Sequence, residues 1–279
     1  MRFWQTSRRK ISLERPLVMG ILNVTPDSFL DGGEYLTVDN ALRRVEKMVA
    51  DGADIIDVGG ESTRPGSLPV AIDEEITRTI PVIEATSRRF DTPISIDTTK
   101  QEVAEKAVAS GAEIINDISG LRFDERLAEV AAGFKAGLVL MHSRGSFETM
   151  HAQPPVDDIF FEITNDLKRA IRIANLHGVR DDQIALDIGL GFGKTFEQNL
   201  ELLEKLDNIA SEFKAYPLLV GASRKSFIGR MLGDVPPKER LSGSVAVALT
   251  AIRNGANIVR VHDVKETVAA IKTRRGTFS

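Results

Sequence analysis

The chain has 279 residues, 42% hydrophobic and 27% charged, enough for one domain with a sizeable core. A formal net charge of −4 argues against nucleic-acid binding, which needs a basic surface, but leaves room for one small anion in a local basic pocket. There is no cysteine, so disulfides, thiolate metal ligands and thiol nucleophiles are excluded, and the four histidines show no metal-site spacing.

The opening stretch, MRFWQTSRRKISLERPL, is basic but has no apolar core and no cleavage signal; the part before Pro16 reads as a short strand pair or cap. No run reaches membrane-spanning length, and the expectation is a soluble cytoplasmic protein. Eight short apolar runs follow, each ending on or just before a polar residue. They are ILNV near Asn23, IIDV near Asp57, ISID at Asp97, IIND at Asn116, LVLM before His142, IALD at Asp187, LLVG before Ser223 and IVRV around Arg260. The runs are continuous rather than alternating, as for parallel strands covered on both faces.

Helical patterns fill the gaps. Val38, Ala41, Leu42, Val45, Met48 and Val49 follow helical spacing, and Gly52 stands where a helix-ending glycine belongs. The phrase recurs as GADIID at Gly52, GAEIIND at Gly111 and GANIVR at Gly255, so one structural unit is used several times. Thr99 to Glu102 and Thr195 to Gln198 both fit a capping box. The expected fold is α/β, a single (β/α)8 TIM barrel over residues 1–279 with a short N-terminal cap segment; an open doubly wound sheet is the alternative. The longest loops, Thr25 to Leu36, Gly59 to Val70 and His142 to Asp157, all follow strands. The first two are rich in Gly, Pro and Ser and suited to closing over a ligand.

Barrel enzymes build their sites at such strand ends, with phosphate seats after the last two strands. Those ends carry GASRKS and RVHD, where Arg224, Lys225, Arg260 and His262 supply positive charge or donors and Ser226 opens a helix. A plain helix cap is the competing reading of Ser226. Asp97, Asn116 and Asp187 end the third, fourth and sixth strands and could hold a ligand edge rich in N–H groups, such as a pterin or guanine ring. Asp117 is read as a turn tie. GLGFGKT is not a P-loop, because the pattern needs glycine where Ile188 stands; its glycines instead let a ligand approach and place Phe192 over the mouth. Met141 reads as an apolar wall for a flat ring, although a core role is the commoner one.

Taken together, NVTPDSF, DGG, GGESTRPGS, SIDT, NDISG, MH, GFGKT, SRKSFIG and RVHDV, in order over nearly the whole chain, resemble the dihydropteroate synthase family of pterin-binding barrels. The resemblance implies condensation of 6-hydroxymethyl-7,8-dihydropterin pyrophosphate with 4-aminobenzoate by an SN1-like route. It implies a pterin site of Asp97, Asn116, Met141, Asp187, Phe192, Lys225 and Arg260. It implies a pyrophosphate site of Asn23, Arg64, Arg260 and His262, with Mg2+ at Asn23. It implies an aminobenzoate site of Phe29, Thr63, Arg64, Pro65, Lys225 and Ser226. Asp97, Lys225, Arg260, His262 and Asn23 are the expected catalytic set, and a homodimer the expected assembly, with the apolar stretch Ser244 to Ile252 either a contact face or packed on the barrel.

Three positions depart from the family pattern: Leu30 where serine is frequent, Thr99 where tyrosine is, and Ile188 where proline is. A methyltetrahydrofolate:corrinoid methyltransferase would also explain Asp97, Asn116 and Asp187, but not STRPG, SRKS or RVHD. A non-catalytic pterin-binding barrel would be expected to lack some of these charged residues or loops.

Overall fold

The structure is a computed structural model and describes residues 2–25, 34–64, 66–150 and 153–277. Eight parallel strands close into a barrel. They are β3 (Leu17–Asn23), β4 (Ile55–Gly59), β5 (Ile94–Asp97), β6 (Ile114–Asp117), β7 (Gly137–Met141), β8 (Ile184–Asp187), β9 (Leu218–Val220) and β10 (Ile258–Val261), with β10 pairing back onto β3. Every apolar run of the sequence is one of these strands, and the open-sheet alternative is excluded by closure. Around them lie α1 (Glu34–Asp51), α2 (Ile72–Arg89), α3 (Gln101–Ala109), α4 (Arg126–Phe134), α5 (Ile159–Leu176), α6 (Phe196–Glu204), α7 (Leu206–Glu212), α8 (Ser226–Met231), α9 (Leu241–Arg253) and α10 (Val264–Thr277). Among the described residues no helix is long and apolar enough to cross a membrane.

The repeat glycines do what their context requires. Gly52, Gly111 and Gly255 have φ of +98°, +121° and +110°, the turn out of a helix that side chains oppose. Of the two expected capping boxes one forms: Gln198 N–H donates to Thr195 Oγ1 at 3.2 Å and Thr195 N–H to Gln198 Oε1 at 3.0 Å. The box at Thr99 does not. There α3 starts one residue later, behind an extended Lys100 whose side chain is drawn to Glu61 and Glu75, and Asp124 Oδ2 accepts from Gln101 N–H instead. On α9, Ser244, Val247, Ala248, Ala251 and Ile252 are buried within this chain, so packing on the barrel accounts for the apolar stretch noted there.

Side-chain parity then divides the barrel. In each strand alternate residues point inward. At the N-terminal end the inward set is apolar: Leu17, Met19, Ile55, Ile114, Val139, Ala185, Leu219 and Ile258 form one cluster. The antiparallel pair β1 (Phe3–Gln5) and β2 (Lys10–Ser12) covers that end, as the cap segment was expected to. Trp4 belongs to the same cluster, is fully buried, and donates from Nε1 to Gln183 O at 2.7 Å. At the other end the same parity brings Asn23, Gly59, Asp97 and Asn116 into register as neighbours on four adjacent strands. A dry plug below thus holds a polar rim above. Trp4→Ala should cost about 3–5 kcal/mol of stability, as other large buried aromatics do. A denaturant titration checks this; a loss under about 1 kcal/mol would mean the plug closes nothing.

Candidate active site

Arg260, inward on β10, reaches across the barrel mouth. Its Nε donates to Asp57 Oδ2 at 2.6 Å and its Nη2 to Asp97 Oδ2 at 2.5 Å. Asn116 Nδ2 donates to the same Asp57 oxygen at 3.2 Å. Burial pushes the Asp97 carboxyl up to about 7, against the pull of Arg260 and with the help of Asp57's like charge. The two carboxylates outweigh burial for Arg260, whose proton affinity is raised. Asp57, to which the sequence reading assigns no site role, is the fully buried partner that orients both Arg260 and Asn116. The signal was present: Asp57 shares the inward parity of Gly59, which aligns with Asp97.

On the opposite wall stands Asp187. Its Oδ1 accepts Gly189 N–H at 2.8 Å, which holds the turn that lacks a proline, and burial raises its proton affinity against the pull of Lys225. Lys225 donates to Leu190 O and lies 4.3 Å from the centroid of Phe192, a cation over a ring face. Burial lowers the ammonium to about 8, opposed by Asp187. Phe192 packs with Ile118, Met141 and Met150 in a separate apolar cluster. Asp117 ties its turn, accepting from Ser119 N–H, Ser119 Oγ and Leu121 N–H.

The expected convergence of cations after the last strands is smaller than the sequence suggested. Arg224 is committed to Asp263, with Nε at 3.0 Å and Nη2 at 2.5 Å from its two oxygens. His262 is held down to about 3 by burial and then by Arg224 and Arg260, so at neutral pH it is a neutral imidazole whose Nδ1 lies 3.1 Å from Ser223 Oγ. Lys225 and Arg260 remain as the cations of the inner site. Ser226 is exposed at the first position of α8, and Arg64 is exposed on the loop after β4, with Thr63 beside it half-buried. Asn23 ends β3 in register with Gly59, and a Cβ on Gly59 would stand 3.8 Å from both Asn23 Oδ1 and Asp97 Oδ2, an ordinary contact distance. Phe29 and Pro65 lie outside the described residues.

Sequence reasoning also left out a pair behind the rim. Lys194 Nζ donates to Gly189 O at 2.8 Å and Phe192 O at 3.0 Å, and lies 2.9 Å from His142 Nδ1. It knots the glycine-rich loop that carries Phe192. The other nitrogen of His142 faces Asp166 at 3.5 Å and Glu162 at 3.9 Å, a grouping that could surround a cation. Glu162 is, however, already paired with Arg144 at 2.7 Å, and burial together with Lys194, Arg122 and Arg144 drives His142 far below its ordinary value. It is a neutral strut, and its partner Lys194 lies 52 residues along the chain, where no local pattern in the sequence points to it.

The histidine has a consequence for stability. His262 stays unprotonated in the fold down to about 3, whereas the unfolded chain protonates its histidines near 6.5. The unfolded state therefore binds more protons between these values, and stability is lost as pH falls from about 6.5 towards 3. Asp97 acts in the opposite sense between 3.8 and about 7, because its folded value is the higher one. Denaturant midpoints for wild type and His262→Gln should therefore diverge on acidification, the variant losing less; parallel curves would refute a half-buried, neutral His262.

Residues 19–262 match the family model described as pterin binding enzyme. The dihydropteroate synthase of Synechocystis is 48% identical over 252 residues, covering 90% of this chain and 86% of that one. The dihydropteroate synthase of Xanthomonas albilineans, solved with 4-aminobenzoic acid, superposes with a TM-score of 0.91 at 40% identity, covering 99% of this chain and 97% of that one. That of Burkholderia cenocepacia, solved with 7,8-dihydropteroate, gives 0.89 at 42% identity, covering 99% and 96%. With this barrel, this rim and these likenesses over almost its full length, the chain belongs to the pterin-binding enzymes and, within them, to the dihydropteroate synthase family.

Proposed function

We propose that the chain joins 6-hydroxymethyl-7,8-dihydropterin pyrophosphate to 4-aminobenzoate, forming 7,8-dihydropteroate and releasing pyrophosphate. The observation that carries this reading is Arg260 bridging Asp57 and Asp97 at the mouth, where one guanidinium can face a leaving anion while a carboxylate faces the ring. Asp97, Asn116 and Asp187 supply acceptors and an amide to the donor-rich pterin edge. Met141 and Phe192 flank its faces, with Lys225 alongside. Arg260, Arg64 and a neutral His262 bind the pyrophosphate, the last as a hydrogen-bond donor. Thr63, Arg64, Pro65, Phe29, Lys225 and Ser226 receive the aminobenzoate, with its carboxylate at Ser226.

The chemistry needs little acid–base help. Departure of pyrophosphate leaves a methylene cation delocalised into the pterin, and an anionic Asp97 stabilises it without forming a bond. The aniline nitrogen is neutral at pH 7 and attacks the cation directly, and the anilinium so formed, a strong acid, gives its proton to solvent or to the departing pyrophosphate. Asn23 offers a hard amide oxygen at the barrel mouth, of the kind magnesium takes when it binds few protein oxygens and leaves room for water and phosphate; the neighbouring Asp97 Oδ2 is held by Arg260. A magnesium ion held there would neutralise charge on the leaving pyrophosphate. The methyltransferase alternative accounts for the carboxylates but gives no task to Arg64, Lys225 and Arg260 together. A homodimer working in the cytoplasm completes the proposal; light scattering of the purified protein tests the assembly, and a monomer at micromolar concentration would refute it.

Pyrophosphate release that requires both the pterin substrate and aminobenzoate is the expected outcome; tight pterin binding without release would sink the reading. Asp97→Asn should lower turnover about 10²–10³-fold while changing pterin affinity far less, the pattern of a group acting in the transition state. Because the anion is the active form and Asp97 is held at about 7, wild-type turnover should fall as pH drops through that value, and this fall should be missing in the variant. Sulfonamides, close to aminobenzoate in shape and charge, should inhibit competitively against it; inhibition indifferent to aminobenzoate would remove the assigned second site.

A further inference from the structure

Within GGESTRPGS the residues Thr63, Arg64 and Pro65 have a proposed task, but the glutamate has none. Glu61 stands just past β4, and its Oε1 accepts the backbone N–H of Val70 at 2.6 Å. One carboxylate oxygen therefore closes the neck of the loop that carries Thr63 and Arg64. The same oxygen accepts from Lys100 Nζ at 2.8 Å, and that ammonium also donates to Glu75 Oε2 at 2.5 Å. Lys100 follows the Asp97 strand end, and Glu75 is fully buried on α2. Arg78, also on α2, donates to Gly60 O at 2.8 Å, and Ser67 Oγ donates to Ser62 Oγ at 2.9 Å within the loop. The neck is thus fastened to α2 and to the segment after β5. At the exposed part of the loop, Arg64 is near enough to His262 to disfavour its protonation.

Stability alone is a poor reason for this arrangement. Two carboxylates share one ammonium in a largely buried place, and Glu75 Oε1 has no hydrogen-bond partner among the described residues. Buried ion pairs seldom outperform apolar packing. What the cluster does supply is a fixed separation between the Asp97 strand end and both ends of the loop. We propose that Glu61 is a positioning residue for the second substrate: by joining Val70 to Lys100 it sets where Thr63 and Arg64 stand relative to the strand ends at Asp97 and His262. The proposal rests on the condensation proposed above. Glu61 bonds to Val70 and Lys100 and to none of the side chains assigned to the pterin ring; it reaches Asp97 only through its charge, the weakest of the influences on that carboxyl, so the two substrates respond differently to its loss.

The experiment compares full-length wild type, Glu61→Ala and Glu61→Gln. In Glu61→Ala the KM for 4-aminobenzoate should rise about tenfold or more, and amide exchange over residues 61–70 should quicken. Glu61→Gln keeps an oxygen for Val70 but loses the charge facing Lys100, so a rise of about threefold is expected. Calorimetric affinity for 6-hydroxymethylpterin, which lacks the pyrophosphate that Arg64 would touch, should stay within about twofold of wild type in both. An unchanged aminobenzoate KM in Glu61→Ala overturns the proposal, as does a parallel loss of pterin affinity, which would mark a role in folding. If Glu61→Ala does not fold, Glu61→Gln decides on the same two readings. Wild type that releases no pyrophosphate in the presence of aminobenzoate defeats the underlying reaction, and this proposal with it.

Discussion

Arg260 stands between two carboxylates, and the open end of the barrel is arranged around it. Asp57 takes its Nε and Asp97 its Nη2, so the guanidinium plane is fixed from below by one strand and from the side by the next. Removing one partner from a fully buried pair typically costs about 3–5 kcal/mol, and the cost falls hardest on Asp57, which is fully buried, whereas Arg260 keeps a fifth of its side chain exposed. Asn116 also depends on the bridge, since its amide is oriented by the oxygen that binds Arg260. The site therefore acts as one unit, with substitutions at Asp57, Asp97, Asn116 and Arg260 coupled rather than additive.

The bridge is also unbalanced in a useful direction. Two carboxylates face one guanidinium, and burial raises the proton affinity of Asp97 rather than lowering it. Such a carboxylate gains most from a positive charge that develops beside it, and least from a neutral ground state. Lys225 is the mirror case across the mouth: its ammonium is weakened to about 8 and held against the face of Phe192. Both groups sit near the pH at which they change charge, as expected of residues whose environment is shaped for chemistry rather than for stability. At the other end Trp4 and the apolar inward residues close the barrel, and the buried carboxylate fastened to the cap there, Glu113, is paired with Arg9 and Thr6.

How much of this was legible in the sequence follows from how local each feature is. The strands, the helix-ending glycines and the Thr195 box depend on a few consecutive residues, and they stand as read. Asp97, Asn116 and Asp187 were found because a polar residue closing an apolar run is visible in a line of text. Asp57 was undervalued because it lies two residues inside its run; only parity, with Gly59 as the aligned position, shows that it points into the barrel. Arg224 and His262 were credited with charge that Asp263 and burial respectively remove, and neither effect can be seen before the chain is folded. The Thr99 cap failed for a related reason: Lys100 is pulled away by Glu61 and Glu75, one of them 39 residues distant.

The same contrast separates the two substrate sites. The groups assigned to the pterin stand on strand ends and on a loop knotted by Lys194, each fixed by hydrogen bonds to neighbouring strands or turns. The groups assigned to aminobenzoate sit on loops, with Arg64 and Ser226 exposed to solvent. A rigid site can bind without paying much ordering entropy, whereas a loop site gains its geometry only when something is there to close upon. In the proposed reaction the pterin ring and its pyrophosphate would provide that surface, and Arg64, whose charge already acts on His262, would close upon it. An ordered sequence, pterin first and aminobenzoate second, is therefore what the distribution of rigidity favours, and Glu61 lies at the junction, tying the loop neck to the residue that follows the Asp97 strand.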